Sequence, residues 1–134
     1  MDLAKLFSPE GAEAFRAAVN GDDAFHSQAA GWTTTLGLVA ETGSGPKALL
    51  VRLAEGVCQA VEPVSEAELE QAEFVLRGSE GVWRGVLSGQ MDAVGAVLMG
   101  KLKVVKGSVM ALSSRTGAAR ILLEKAKSAV ESLG

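Results

Sequence analysis

The sequence predicts an α+β fold: a single domain over residues 1–134 with a five-stranded, mostly antiparallel sheet flanked by helices. Three observations lead there. Apolar residues keep helical spacing up to about position 30, alternate in strand fashion between 33 and 77, and return to helical spacing afterwards. Turn-forming Gly and Pro punctuate the alternating stretch at 43–46 and 55–56. One further alternating segment, 101–107, stands alone among the later helices. The resulting order is two helices, four strands, two helices, one strand and a terminal helical segment, and strands grouped apart from helices make an α+β rather than an α/β chain.

Ser8-Pro9-Glu10 starts the first helix, because it supplies a capping hydroxyl, a proline suited to the first helical position and an acid for the positive end of the helix dipole. Ala12, Phe15, Ala18 and Val19 form its apolar stripe, and Asn20-Gly21 ends it. Asp22 caps a second short helix carrying Phe25 and Ala29, which Gly31 stops before Trp32. Thr33 to Glu41 reads as the first strand and Gly43-Ser44-Gly45-Pro46 as a turn. Ala48 to Ala54 is the second strand, with Leu49, Val51 and Leu53 on one face. Glu55-Gly56 is a two-residue hairpin loop, and Val57 to Glu62 is a third strand that Pro63 ends, so these strands form an antiparallel meander. Ser65 to Ala72 is an acidic connector, and Glu73 to Arg77 is the fourth strand.

Ser79-Glu80 caps the next helix, with Val82, Trp83, Val86 and Leu87 as its stripe and Gly89 as its close. Asp92 starts a shorter helix lined by Val94, Val97 and Leu98 and stopped by Gly100. Gly95 inside it costs about 1 kcal/mol against Ala, and reads either as the close approach of a strand or ligand or as chance. Lys101 to Gly107 alternates charge with apolar residues and predicts the last strand, Leu102 and Val104 inward. Ser108 to Leu112 forms a short helix, and Thr116 caps a longer one whose buried side is Ile121, Leu122, Ala126, Ala129, Val130 and Leu133.

Composition removes many functional classes. At 134 residues the chain suits one core, and with 48% hydrophobic and 22% charged residues it is neither disordered nor low in complexity. No run approaches the roughly 20 apolar residues that span a bilayer, and Asp2, Lys5 and Ser8-Pro9-Glu10 do not resemble a signal peptide, so a cytoplasmic location is expected. A lone Cys58 and a lone His26 exclude an internal disulfide, a multi-cysteine zinc site and any site needing two histidines. Glu66, Glu68, Glu70 and Glu73 read as a solvated face, so no metal or other cofactor is expected.

Catalysis fares no better. Neither His26 nor Cys58 has a partner motif; Gly43-Ser44-Gly45 lies between strands without a following Lys-Ser/Thr; and Gly78-Ser79-Glu80-Gly81 lacks the Gly-Xaa-Ser-Xaa-Gly elbow. The expected protein is not an enzyme.

The net charge of −3 hides two opposed parts: residues 1–100 hold 6 Lys/Arg against 14 Asp/Glu, residues 101–134 hold 7 against 2. Lys101, Lys103, Lys106, Arg115, Arg120, Lys125 and Lys127 form either a patch for anionic lipid or an acidic partner, or an ordinary solvated face. Nucleic acid is not expected, since the basic segment carries no aromatic residue for base stacking and no recognition motif. Met91, Met99 and Met110 fall within twenty residues, near Trp83, Leu87, Leu98 and Leu102. Unbranched, polarizable thioethers suit an adaptable lipid cavity as well as gap-filling in a core short of aromatics.

Between Ala72 and Gly107 three segments occur in order: Ala72-Glu73-Phe74-Val75-Leu76-Arg77-Gly78-Ser79 followed by Trp83, then Leu87-Ser88-Gly89-Gln90-Met91-Asp92, then Met99-Gly100-Lys101-Leu102-Lys103-Val104-Val105-Lys106-Gly107. This stretch resembles the type-two sterol carrier protein domain. The resemblance implies an apolar tunnel between the five-stranded sheet and its helices, holding a fatty acyl chain, sterol or isoprenoid-like ligand. On that reading Trp83, Leu87, Met91, Leu98, Met99, Leu102, Val104 and Met110 line the cavity, and the basic last quarter contacts anionic membrane. The alternative is an accessory interaction protein, homodimeric in one form, that presents a hydrophobic groove to an enzyme handling lipids or isoprenoids. Ser132-Leu133-Gly134 is not the peroxisomal tripeptide on which carriers of this type commonly end.

Overall fold

A computed structural model describes residues 3–133, so Asp2 and Gly134, which entered the reading of the termini, lie outside it. Helices α1 (Leu3–Leu6), α2 (Pro9–Asn20) and α3 (Asp23–Gln28) lead into strands β1 (Thr34–Thr42), β2 (Gly45–Ala54) and β3 (Val57–Val64). A 3-10 turn, Glu66–Gln71, precedes β4 (Phe74–Ser79), α4 (Glu80–Leu87), α5 (Ala93–Leu98) and β5 (Lys103–Lys106), and α6 (Val109–Ser113) and α7 (Thr116–Ser132) close the chain.

The fold is α+β with five strands in the order β3-β2-β1-β4-β5. The β1–β2, β2–β3 and β4–β5 pairs are antiparallel, and β1–β4 is parallel, Leu36 opposite Phe74 and Val39 opposite Arg77. The sheet is therefore mixed and mostly antiparallel. The parallel pair arises because the chain leaves the β1–β3 meander at the far edge and must cross it to reach the open side of β1.

Several boundaries move for physical reasons. β2 begins at Gly45, whose φ of +109° needs no Cβ, and this tightens the first hairpin to Gly43-Ser44 between paired Thr42 and Gly45. Pro46 belongs to β2 because it lies past the last β3 pairing, Ala48 with Val64. Pro63 does not end β3 but pairs with Leu49, which an edge strand tolerates since one side of its backbone faces no neighbour. The last strand shortens to four residues, leaving Leu102 ahead of it, buried. Helix α1 carries no signal that the sequence reading used, and the acidic connector proves to be the 3-10 turn.

Both sheet faces are covered. Leu36, Leu38, Ala40, Leu49, Val51 and Leu53 face the helices, where Phe15 and Val19 of α2, Phe25 of α3 and Leu122, Ala126 and Val130 of α7 complete the main core. On the opposite face Val39, Leu50 and Val75 lie under Leu69 and Ala72 of the connector. Gly37 makes that approach possible, because a Cβ there would stand 2.7 Å from Leu69 Cδ2. The expected caps hold: the Ser8, Asp22, Ser79 and Asp92 side chains accept from the backbone N–H groups of Gly11, Phe25, Val82 and Gly95. In α7 the capping position falls on Arg115 rather than Thr116, and Thr116 Oγ1 instead donates to the Ser113 carbonyl at 2.6 Å. Leu122, Ala126, Ala129 and Val130 are buried as expected, Ile121 is half-buried and Leu133 is exposed. No helix of the described residues is long and apolar enough to cross a membrane.

Candidate functional site

The chain makes its most apolar concavity where α5, the end of the sheet, α6 and α7 meet. A cleft of about 130 Å³ is walled on one side by Ala93, Val94, Val97 and Leu98 of α5. Its floor is Leu76 of β4, Leu102 just ahead of β5 and Val104 within it. Val109 and Leu112 of α6 and Ala119 and Leu123 of α7 close the remaining sides, with Ser113 and Thr116 the polar residues among its walls.

Local chemistry explains how these side chains converge. Asp92 Oδ2 accepts from the Gly95 N–H at 3.0 Å and starts α5; Ser108 Oγ accepts from the Ala111 N–H at 3.2 Å and starts α6. Between them the Ala96 carbonyl accepts from the N–H groups of both Lys101 and Leu102, at 2.8 and 3.1 Å, and Gly100 takes a φ of +74°. That turn folds the chain back under α5 and drives Leu102 against β4. Gly78 leaves room for it, since a Cβ there would meet Leu102 Cδ2 at 2.6 Å.

A second groove, about 290 Å³, lies on the other side of α5 and shares Ala93 and Leu123 with the first. Val86, Leu87 and Met91 supply its apolar side, Arg120, Glu124 and Lys127 its polar side, and Arg120 reaches Asp92 at 3.4 Å across it. Helix α5 thus partitions two concavities while burying only Ala96, and α6 buries no residue. Elements that bury so little are the ones that open at low cost.

The eight residues expected to line a cavity distribute as follows. Leu98, Leu102 and Val104 line the apolar cleft, Leu98 at its lip with 79% exposure. Leu87 and Met91 line the second groove. Trp83 is buried, its indole N–H donating to the Val39 carbonyl at 2.8 Å, and lines neither concavity. Met99 and Met110 stand outside, 67% and 83% exposed. Sequence reasoning missed Leu76, Val109, Leu112, Ala119 and Leu123. Thr116, Ala119 and Leu123 recur at helical spacing on α7, a second stripe beside the core-facing one, and that spacing is the signal that could have found them.

The other candidates serve structure. Burial pushes the Cys58 thiol up to about 11, which leaves it a poor nucleophile. His26 Nε2 lies 2.8 Å from the Asn20 carbonyl and Nδ1 3.2 Å from that of Gly56, so the imidazole is clamped between α2 and the β2–β3 turn. Gly95 is not at a close approach, because an added Cβ would meet only Asp92 at 3.8 Å. The basic quarter is partly spent inside the molecule: Lys125 pairs with Asp22 at 3.0 Å, Arg115 lies over the Trp32 ring at 5.6 Å, and Lys106 Nζ donates to the Glu70 carbonyl at 2.5 Å. Lys101 and Lys103 enter no ion pair among the described residues.

Comparison with known proteins agrees with this architecture. The profile of the SCP-2 sterol transfer family matches residues 15–116. A crystal structure of sterol carrier protein 2 superposes with a TM-score of 0.84 at 27% identity, covering 91% of this chain and 97% of its own. The solution structure of TT1886 from Thermus thermophilus, described as possibly a sterol carrier protein, gives 0.82 at 27% identity, covering 92% and 89%. A palmitated SCP2L2 from Aedes aegypti gives 0.62 at 18% identity, covering 90% and 95%, and shares the fold. No curated protein matches the sequence.

Proposed function

The chain belongs to the SCP-2 sterol transfer family, and from that premise we propose that it is a non-enzymatic lipid carrier whose cleft between α5, β5, α6 and α7 holds the apolar part of the ligand. The family supports a lipid-binding or lipid-transfer role. The observation that carries the finer reading is the lining: among the described residues, eleven apolar ones from the sheet end and three helices converge on one space, with Ser113 and Thr116 as its polar wall residues. Such a wall recognises shape and hydrocarbon and carries no headgroup code. Each methylene it buries contributes about 0.8 kcal/mol before the costs of association.

At about 130 Å³ the cleft is smaller than the roughly 300–1,000 Å³ of typical ligand pockets. An acyl chain, sterol or isoprenoid therefore enters as α5 and α6 swing outward, and joins the cleft to the second groove beneath α5. Leu98, Leu102 and Val104 are proposed as direct contacts, and Leu87 and Met91 as contacts once the two spaces join. Trp83 is proposed to hold the wall from behind.

The test is native mass spectrometry of protein purified from its own cells, with solvent extraction and identification of what is released, alongside titration with a fluorescent fatty acid. Ala119→Phe, which fills the cleft from α7, should weaken the probe at least about tenfold while far-UV circular dichroism stays native. An empty protein that takes up no fatty acid, sterol or isoprenoid would sink the proposal and leave the cleft as a groove for a partner's side chains.

A further inference from the structure

We propose that the lip of the cleft is a docking surface for an anionic lipid bilayer, an inference that rests on the cleft being a lipid site. Four large apolar side chains surround the opening: Leu98 and Met99 at the end of α5, Val109 and Met110 at the start of α6, with exposures of 79%, 67%, 49% and 83%. A single exposed apolar residue is ordinary, but four around one opening form a patch with a purpose. Leu98 and Val109 also line the cleft, so the patch is continuous with the interior.

Charge identifies the occupant. From Ala93 to Leu123 the sequence contains no Asp or Glu and five Lys/Arg, while all 16 carboxylates of the chain lie outside that segment. Of the two acids that flank this segment, Asp92 is paired with Arg120 at 3.4 Å and Glu124 lines the second groove on the other side of α5. Lys101 follows Met99 by two residues in the turn beside the opening, exposed and outside the ion pairs of the described residues, whereas Lys103, paired in register with Arg77 between the cleft-lining Leu102 and Val104, faces the other side of the sheet. Apolar side chains beside an unpaired lysine, in a segment without acids, suit a surface that offers hydrocarbon beneath negative headgroups. A second copy of the chain suits it less, because self-pairing would set the same cations against one another. Docked this way, the opening faces the acyl layer, and a chain passes from bilayer to cleft without crossing water.

The experiment is co-sedimentation of the full chain with phosphatidylcholine vesicles with and without phosphatidylglycerol, read beside uptake of a fluorescent fatty acid in vesicle-free solution. The expected result is binding to the phosphatidylglycerol vesicles at least about tenfold tighter than to pure phosphatidylcholine, weakening as salt is raised. The M99E/M110E variant should lose about tenfold or more in vesicle binding and K101Q about fivefold, yet both should keep wild-type uptake of the probe, since none of these three residues lines the cleft. Equal binding to both vesicle types, or M99E/M110E sedimenting like wild type, would overturn the docking surface. So would a concentration-dependent dimer that M99E/M110E abolishes, which would give the patch to a second copy. A wild type that docks but takes up no probe upholds the docking surface and overturns the lipid-site reading instead.

Discussion

The indole N–H of Trp83 donates to the carbonyl oxygen of Val39 at 2.8 Å, with both residues buried, and so fastens α4 to the central strand of the sheet. Trp83→Phe keeps most of the ring and removes the donor. Losing this partner for a buried carbonyl should lower stability by about 1–3 kcal/mol, measured as the urea midpoint, while fatty acid uptake stays near wild type. Lost uptake at unchanged stability would instead place Trp83 against the ligand.

Gly78 and Leu102 form a matched pair of small and large. A Cβ at 78 would stand 2.6 Å from Leu102 Cδ2, so Gly78→Ala displaces the cleft floor and should cost about 1–3 kcal/mol. Adding Leu102→Ala removes the clash. Thermal unfolding of the two single variants and the double should then show a double loss smaller than the sum of the singles; strict additivity would mean that the two side chains do not compete for this space.

Gly95 lies inside α5 with only Asp92 near its missing Cβ, at 3.8 Å, an ordinary contact. Gly95→Ala should therefore stabilise the protein by about 0.5–1 kcal/mol through helix propensity, seen as a raised Tm. A drop would reveal a close neighbour when α5 moves.

His26 sets a pH dependence. Its two ring nitrogens face two carbonyls, and only the protonated ring donates to both; the hydrogen bond to Asn20 first, then that to Gly56, hold its pKa above 6.5. A group whose pKa is raised on folding adds stability that is fully present below its unfolded pKa. That stability is lost as pH rises through the folded pKa. The urea midpoint should thus fall as pH climbs from about 6 into the alkaline side of neutrality, and His26→Gln should flatten that part of the profile.

Cys58 should label slowly. Its thiol is buried and pushed up to about 11, so near pH 8 little thiolate is present and little of it is reachable. Iodoacetamide should modify the native protein at the rate of unfolding and modify it at once in urea. Rapid native labelling would mean that β3 opens.

Most of the scaffold was legible because its signals are local. Ser8, Asp22, Ser79 and Asp92 each cap within three residues, and the strand alternation of Leu49, Val51 and Leu53 reports a face directly. The parallel β1–β4 pair was not legible, since no local pattern states which edge a fourth strand joins. The cleft was half legible for a related reason. Leu98, Leu102 and Val104 follow from periodicity around one turn, whereas Leu76, Leu112 and Ala119 come to the same space from elements far apart in sequence. The methionines misled because a count of residue types near one another says nothing of direction: Met99 caps α5 and Met110 begins α6, both facing out.

The parallel pairing of β1 with β4 also orders events during folding. Leu36 meets Phe74 from 38 positions away, a closure whose chain entropy is offset only after the β1–β3 meander has shortened the path. The meander, joined by two-residue turns, can form early and template the rest. Helices α5 and α6 arrive after that closure, so changes to the cleft walls should quicken unfolding and leave the refolding rate nearly untouched, whereas changes in β1 should slow refolding itself.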